Sequence, residues 1–103
     1  MRRAAKRDAS EPEIVAALKQ CGFSVVRMDQ PVDLLVGVPG RKGPRQMFLV
    51  ECKTGTKGYG KTLNENQSEF AATWRGPEIV ILRSAQDAID WAVEVASGME
   101  KAA

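Results

Sequence analysis

The chain contains no histidine and only two cysteines, Cys21 and Cys52, among its 103 residues. The absence of histidine excludes His-based general base catalysis, Ser-His-Asp triads and histidine-ligated metal sites. The two cysteines lack the paired spacing of a zinc site and are most simply buried or free thiols, as in a reducing cytoplasm. No apolar run approaches the length of a transmembrane helix and no signal peptide follows the basic N-terminus, so we expect a cytoplasmic protein.

The net charge of the chain is only +2, but the charged residues are unevenly distributed. Residues 1–61 carry 12 basic and 6 acidic side chains, whereas residues 62–103 carry 3 basic and 7 acidic ones. A basic half is typical of proteins that bind a polyanion, although chance patterning on a solvated surface gives the same distribution. The length suits a single domain, which we place at residues 10–103 after a basic, flexible segment at residues 1–9.

Hydrophobic periodicity predicts helices and strands in alternation. The first helix begins after Ser10, with Glu13 completing a capping box, and ends at Gly22. The predicted strands are residues 24–28, 32–38, 47–53 and 78–83. Two more helices follow, at residues 64–74 and from a second capping box at Ser84, and the last one has an expected buried stripe of Ile89, Ala92, Val93 and Ala96. This order predicts an α/β domain with a mixed four-stranded sheet flanked by helices, in which the third strand is central.

Two acidic residues and a lysine lie at the ends of neighbouring predicted strands. Asp33 lies in the apolar run 32–36, and Glu51 and Lys53 end the third strand. Residues i and i+2 of a strand point to the same face about 7 Å apart, so Glu51 and Lys53 point together and Cys52 points away. If the Asp33 strand lies beside the third strand, two carboxylates and an ammonium converge, and a divalent cation is the usual counter-charge for such carboxylates. The alternatives are an ion pair of Asp33 with Lys53 or an arginine, and a role for Lys53 as the counter-ion of Glu51 alone.

This arrangement resembles the PD-(D/E)xK nuclease superfamily. Asp33 followed by Glu51-x-Lys53 at the end of the next strand, within the order αβββαβ, is the pattern of that superfamily. The narrower similarity is to the virus-type replication-repair nuclease family (VRR-NUC), its small phage-encoded relatives and archaeal Holliday-junction resolvases. It covers roughly residues 8–83 and includes Glu11 and Gln67, while the proline that usually precedes the aspartate is displaced by one residue.

The resemblance implies a restriction-endonuclease-like αβββαβ core with a C-terminal helix. It further implies hydrolysis of DNA phosphodiester bonds with Mg²⁺ or Mn²⁺, structure-selective action on branched or junction DNA, a homodimer and, for a phage-encoded protein, the cytoplasm of a bacterial host. The implied metal ligands are Asp33, Glu51 and the backbone carbonyl of Cys52, a set of oxygens that favours Mg²⁺ or Mn²⁺ over zinc. Lys53 would position or deprotonate the attacking water.

Two helical residues are further candidates for the site. Glu11 aligns with Ile14 on the core side of its helix, whereas Glu13 has a role in the capping box, so we predict Glu11 as an extra carboxylate near the metal. The alternative for Glu11 is a favourable charge at the N-terminus of the helix. The resemblance places Gln67 near the scissile phosphate, but Gln67 also occupies the capping-box position after Asn64.

The loop before the second helix supports two interpretations. Gly55–Thr62 fits the P-loop pattern G-x-x-x-x-G-K-[ST] between a strand and a helix, so a nucleotide-binding protein is the main rival. The short chain, the end of the later strand at Arg83 without a Walker-B aspartate, and a helix that starts only at Asn64 count against it. We favour a basic surface that contacts the nucleic-acid backbone through Arg41, Lys42, Arg45, Lys57 and Lys61, with Tyr59 available to stack on a base.

A third interpretation is a DNA-binding module that has the same fold but no catalytic activity. Such a protein would bind DNA with a steep salt dependence and cut nothing in the presence of Mg²⁺ or Mn²⁺. The apolar residues Trp91 and Val95 lie off the stripe expected on the last helix, and we predict that they form part of the homodimer interface.

Overall fold

The elements follow one another as helix, three strands, helix, strand and helix. The computed structural model describes residues 9–40, 44–53 and 65–96, which contain α1 (Glu11–Gln20), β1 (Ser24–Arg27), β2 (Leu34–Val38), β3 (Gln46–Cys52), α2 (Glu65–Thr73), β4 (Val80–Leu82) and α3 (Ala85–Ala96). The predicted order of elements is confirmed, and the strand boundaries lie within two residues of those expected.

The strands form one mixed sheet in the order β1-β2-β3-β4. β1 pairs with β2 and β2 with β3 in antiparallel fashion, and β3 pairs with β4 in parallel. β3 therefore has a partner on each side, which confirms its predicted central position. The α/β class and the mixed four-stranded sheet with flanking helices are also confirmed.

One face of the sheet forms the core together with α1 and α3. Alternation along β2 and β3 points Leu34, Val36, Val50 and Cys52 toward the helices, where they join a buried cluster with residues such as Ile14, Leu18, Ala88 and Ala92. Small alanines on α3 let the two helices approach closely over this face. The N-terminus of α1 and the ends of β2 and β3 consequently lie near the same edge of the core.

Of three helix-end features predicted from the sequence, two are present in the structure. Gly22 ends α1 with φ = 89°, a conformation that glycine adopts without steric cost. The hydroxyl of Ser84 accepts a hydrogen bond from the backbone N–H of Asp87 at 3.0 Å, as expected of an N-cap. Ser10 occupies the N-cap position of α1, but its side chain makes no capping hydrogen bond and is buried, so the predicted capping box with Glu13 is wrong.

The buried face of α3 differs from the predicted stripe. Ile89 is 37% exposed and Val93 is 61% exposed, whereas Ala88 and Ala92 are buried. Trp91 packs edge-on against the rings of Phe23 and Phe48, with centroid distances of 5.9 and 5.3 Å, and Val95 also packs against the core. The placement of Trp91 and Val95 off the buried face, on which the predicted dimer interface depended, is therefore wrong.

The opposite face of the sheet carries an apolar row from Val26 through Leu35 to Leu49. Met47 on this face is 63% exposed and Val26 is 54% exposed. Beside it, Trp74 stacks on Phe70 and donates a hydrogen bond from Nε1 to the carbonyl of Pro77 at 2.7 Å.

Among the residues that the structure describes, no helix is both long and apolar enough to cross a membrane.

Candidate metal centre

Asp33 lies directly before β2, at the end of the strand that pairs with β3. Its backbone carbonyl accepts a hydrogen bond from the N–H of Met28 at 2.6 Å, and its Oδ2 accepts one from the N–H of Cys52 at 2.8 Å. Leu34 pairs with Val50, and Asp33 lies one residue beyond the paired part of β2. Asp33 is thus held at the shared end of β2 and β3 by contacts to β3 and to the residue that follows β1.

Glu51 and Lys53 face the same side of β3, as strand alternation predicts. The Lys53 Nζ lies 3.3 Å from Oε2 of Glu51, and the Glu51 side chain is 7% exposed. The other oxygen of Glu51, Oε1, is buried and has no hydrogen-bond partner among the described residues. Burying a carboxylate oxygen without a donor is costly, so this residue is unusual among the acidic side chains that the structure describes.

Glu11 is fully buried in the first turn of α1, whereas Glu13 is exposed. The expectation that Glu11 faces the core is therefore confirmed. Its Oε2 accepts a hydrogen bond from Nε of Arg27 at 2.8 Å, and the Arg27 side chain is 54% exposed. Sequence analysis did not identify Arg27. Strand alternation was the available indication, since Arg27 shares the helix-facing side of β1 with Val25.

Three potential ligand atoms converge at this edge of the core. One carboxylate oxygen each from Glu11 and Asp33 and the sulfur of Cys52 lie within 4.8 Å of one another, and Glu51 is not a member of this group. The prediction concerned the backbone carbonyl of Cys52, and the proximity of its thiol was missed. Cys52 points to the helix side of β3 because it alternates with Glu51, so Glu11 and Cys52 lie on one side of the strand end and Glu51 with Lys53 on the other.

The donor set fits a divalent cation. Glu11 and Asp33 provide carboxylate oxygens, the preferred ligands of Mg²⁺ and Mn²⁺, beside the softer sulfur of Cys52, and Glu51 offers a further carboxylate from the other side of the strand end. With Arg27 and Lys53 as the neighbouring cations, these side chains carry a net charge of −1 at neutral pH. Clusters of acidic groups are common without an ion, but here Glu11 and Glu51 are both buried, and Oε1 of Glu51 has no donor among the described residues.

The remaining predicted site residues are placed only in part. Arg45 is exposed, directly before β3. Gln67 lies on α2, and its side chain falls outside the described part of the protein. Also outside it are the predicted contact residues Arg41, Lys42, Lys57, Tyr59 and Lys61 and the P-loop-like segment Gly55–Thr62.

The sheet itself bears on the nucleotide-binding rival. P-loop proteins and other doubly wound nucleotide-binding domains place their phosphate loop after a strand of a parallel sheet. Here β3, the strand before the P-loop-like segment, is antiparallel to β2. Because β3 is parallel to β4 but not to β2, the mixed sheet counts against nucleotide binding through this segment.

Comparison of this chain with protein-family models, with curated proteins and with solved structures gave no match in any of the three. The resemblance to PD-(D/E)xK nucleases consequently depends on the motif residues and the order of elements alone.

Proposed function

We propose that this protein is a nuclease that hydrolyses DNA phosphodiester bonds with a divalent cation, on a restriction-endonuclease-like αβββαβ core. The observation that carries the proposal is the state of Glu51. Its side chain is buried and ion-paired with Lys53 through one oxygen, while the other oxygen has no partner among the described residues. Since such a group costs about 1–3 kcal/mol or more to bury, its presence near the end of β3 is better explained by function than by stability.

Asp33 and Glu11, which have carboxylate oxygens within 4.8 Å of each other, would hold Mg²⁺ or Mn²⁺. Glu51 would turn toward Asp33 from the other side of the strand end to join them, and the backbone carbonyl of Cys52 would be an additional ligand. The cation would supply a Lewis acid for the phosphate oxygens and would acidify a water molecule. The hydrogen bond from the Cys52 N–H orients the Asp33 carboxylate, which reduces the reorganisation needed for binding.

Lys53 supplies a positive charge for the negatively charged phosphate of the substrate. Its side chain is 13% exposed, and its pairing with Glu51 fixes the position of the ammonium group. From there it orients the attacking water or neutralises negative charge that develops on the phosphate. Its backbone N–H donates to the carbonyl of Leu82 at 3.0 Å, which ties the residue to β4.

DNA as the substrate is supported by the basic first half of the chain and by exposed Arg45. Branched or junction DNA as the preferred form, and a homodimer as the active species, come from the resemblance and remain part of the proposal. A DNA-binding module without activity is the alternative that the following experiment separates.

The test is cleavage of labelled linear, flapped and four-way-junction DNAs in Mg²⁺, in Mn²⁺ and in EDTA. We expect the wild type to cut only with metal, and Glu51→Gln to lose at least two orders of magnitude of activity, about the contribution of one catalytic charge. The matched control is Glu78→Gln, since Glu78 is an exposed glutamate outside the site and should keep full activity.

A second readout is independent of catalysis. Mn²⁺ at 100 times its dissociation constant should stabilise the wild type by about 2.7 kcal/mol and leave Glu51→Gln much less affected. Metal-dependent stabilisation and DNA binding without cleavage would favour the inactive module, and cleavage that Glu51→Gln leaves unchanged would disprove the site assignment.

A further inference from the structure

Arg27 lies at the end of the edge strand β1, beside the candidate metal centre. It pairs with Leu34, the residue that follows Asp33, and the next residue, Met28, donates its N–H to the carbonyl of Asp33. The guanidinium group therefore belongs to the same corner of the molecule as the carboxylates of Glu11 and Asp33.

The guanidinium is anchored at one end and open at the other. Nε donates to Glu11, whose side chain is completely buried, while 54% of the Arg27 side chain remains exposed. An arginine has five N–H donors in a rigid, planar arrangement, and this contact occupies one of them. Because Nε is held by a buried carboxylate while more than half of the side chain is exposed, the Nη groups are available to a ligand.

Neutralisation of Glu11 alone does not require this geometry. A lysine would also supply the positive charge, whereas a planar group with exposed Nη atoms suits a ligand with several oxygens, such as a phosphate.

We propose that Arg27 binds a backbone phosphate of the nucleic-acid substrate through its Nη groups, next to the metal centre, while Glu11 holds it in position through Nε. This inference depends on the proposed function for the identity of the substrate. It adds a phosphate-binding residue that the sequence motif does not contain, and it gives Glu11 a second role as the anchor of that residue.

The experiment measures binding of the full chain to a fluorescently labelled DNA duplex by anisotropy, in EDTA, over a range of salt concentrations. Arg27→Met is introduced into a Glu11→Gln background, in which the side-chain oxygen at position 11 can still accept from Nε but the Glu11 charge no longer needs a counter-charge, and both proteins are checked by urea unfolding. We expect the added substitution to weaken binding about tenfold and to reduce the slope of log affinity against log salt by about 0.9, the value for one phosphate contact. Arg27→Lys should retain the slope but lose affinity.

Lys19→Met is the matched control, because Lys19 is an exposed cation in the last turn of α1, at the opposite end of the helix from Glu11. It should leave the slope unchanged. If Arg27→Met in the Glu11→Gln background binds DNA with the affinity and slope of Glu11→Gln alone, Arg27 only neutralises Glu11 and the inference is wrong. Absence of DNA binding by the wild type overturns it as well, whereas Arg27-dependent binding without cleavage in any metal contradicts the proposed nuclease and leaves phosphate binding by Arg27 intact.

Discussion

Replacing both Glu51 and Lys53 by methionine should make the metal-free protein more stable. The Glu51 side chain is 7% exposed and that of Lys53 is 13% exposed, so both charges have lost most of their hydration, and Oε1 of Glu51 lacks a donor among the described residues. Apolar replacement of a buried ion pair is commonly neutral or stabilising by about 1–4 kcal/mol. We expect about 1–2 kcal/mol here, because the lysine keeps partial contact with water.

Urea unfolding in EDTA measures this difference directly, with the slope of the transition expected to stay constant. The single variant Glu51→Met should be less stable than the double variant, since it leaves the Lys53 ammonium without its partner. Added Mn²⁺ should raise the midpoint of the wild type and not that of the double variant. If the double variant is instead clearly less stable than the wild type in EDTA, the ion pair serves stability, and the burial of Glu51 no longer supports a metal site.

Four further substitutions, one of them a control, test the fold around the site by urea unfolding and tryptophan fluorescence. Trp91→Ala should lower the free energy of unfolding by about 3 kcal/mol because it removes two edge-on ring contacts. Val93→Ala is the control, since Val93 is 61% exposed and its replacement should cost less than about 0.5 kcal/mol. Equal losses would contradict the assigned face of α3. Ser84→Ala should cost about 1 kcal/mol through loss of the N-cap hydrogen bond, and no loss would mean that the cap contributes nothing. Gly76→Ala would bring its Cβ into overlap with Cζ2 of Trp74, so we expect a shifted indole emission and a loss of about 1–3 kcal/mol in the free energy of unfolding; an unchanged spectrum would refute the close approach.

Most of the fold was predictable because each element is short and its hydrophobic pattern is bounded by clear start and stop residues. The side of β3 to which each residue points also followed from alternation, which is why the approach of Lys53 to Glu51 was anticipated. The face of α3 was not predictable in this way. Apolar residues occur almost all around that helix, so the pattern permits more than one stripe, and close packing against α1 selects the one with small alanines.

The candidate site was predictable where its residues share one strand and not where they come from distant parts of the chain. The ion pair of Arg27 with Glu11 joins residues 16 positions apart on different elements, and it depends on where α1 crosses the end of β1. The hydrogen bond from the Cys52 N–H to Asp33 depends on the course of the chain just before β2, which strand periodicity does not describe. Tertiary placement, and not local propensity, decides both contacts.

The parallel pairing of β4 with β3 connects the C-terminal third of the chain to the candidate site. This part of the chain contributes no proposed acidic ligand, but it affects the position of Lys53. The main chain of Lys53 is fastened to Leu82, and Leu82 leads within two residues into the cap of α3. A shortened protein that stops before β4 would therefore keep every proposed carboxylate ligand in its sequence. It would lose the hydrogen bond from the Lys53 N–H to the Leu82 carbonyl, which positions the lysine. Loss of the N-cap of α3 is therefore expected to change the position of Lys53 more than the positions of the acidic residues.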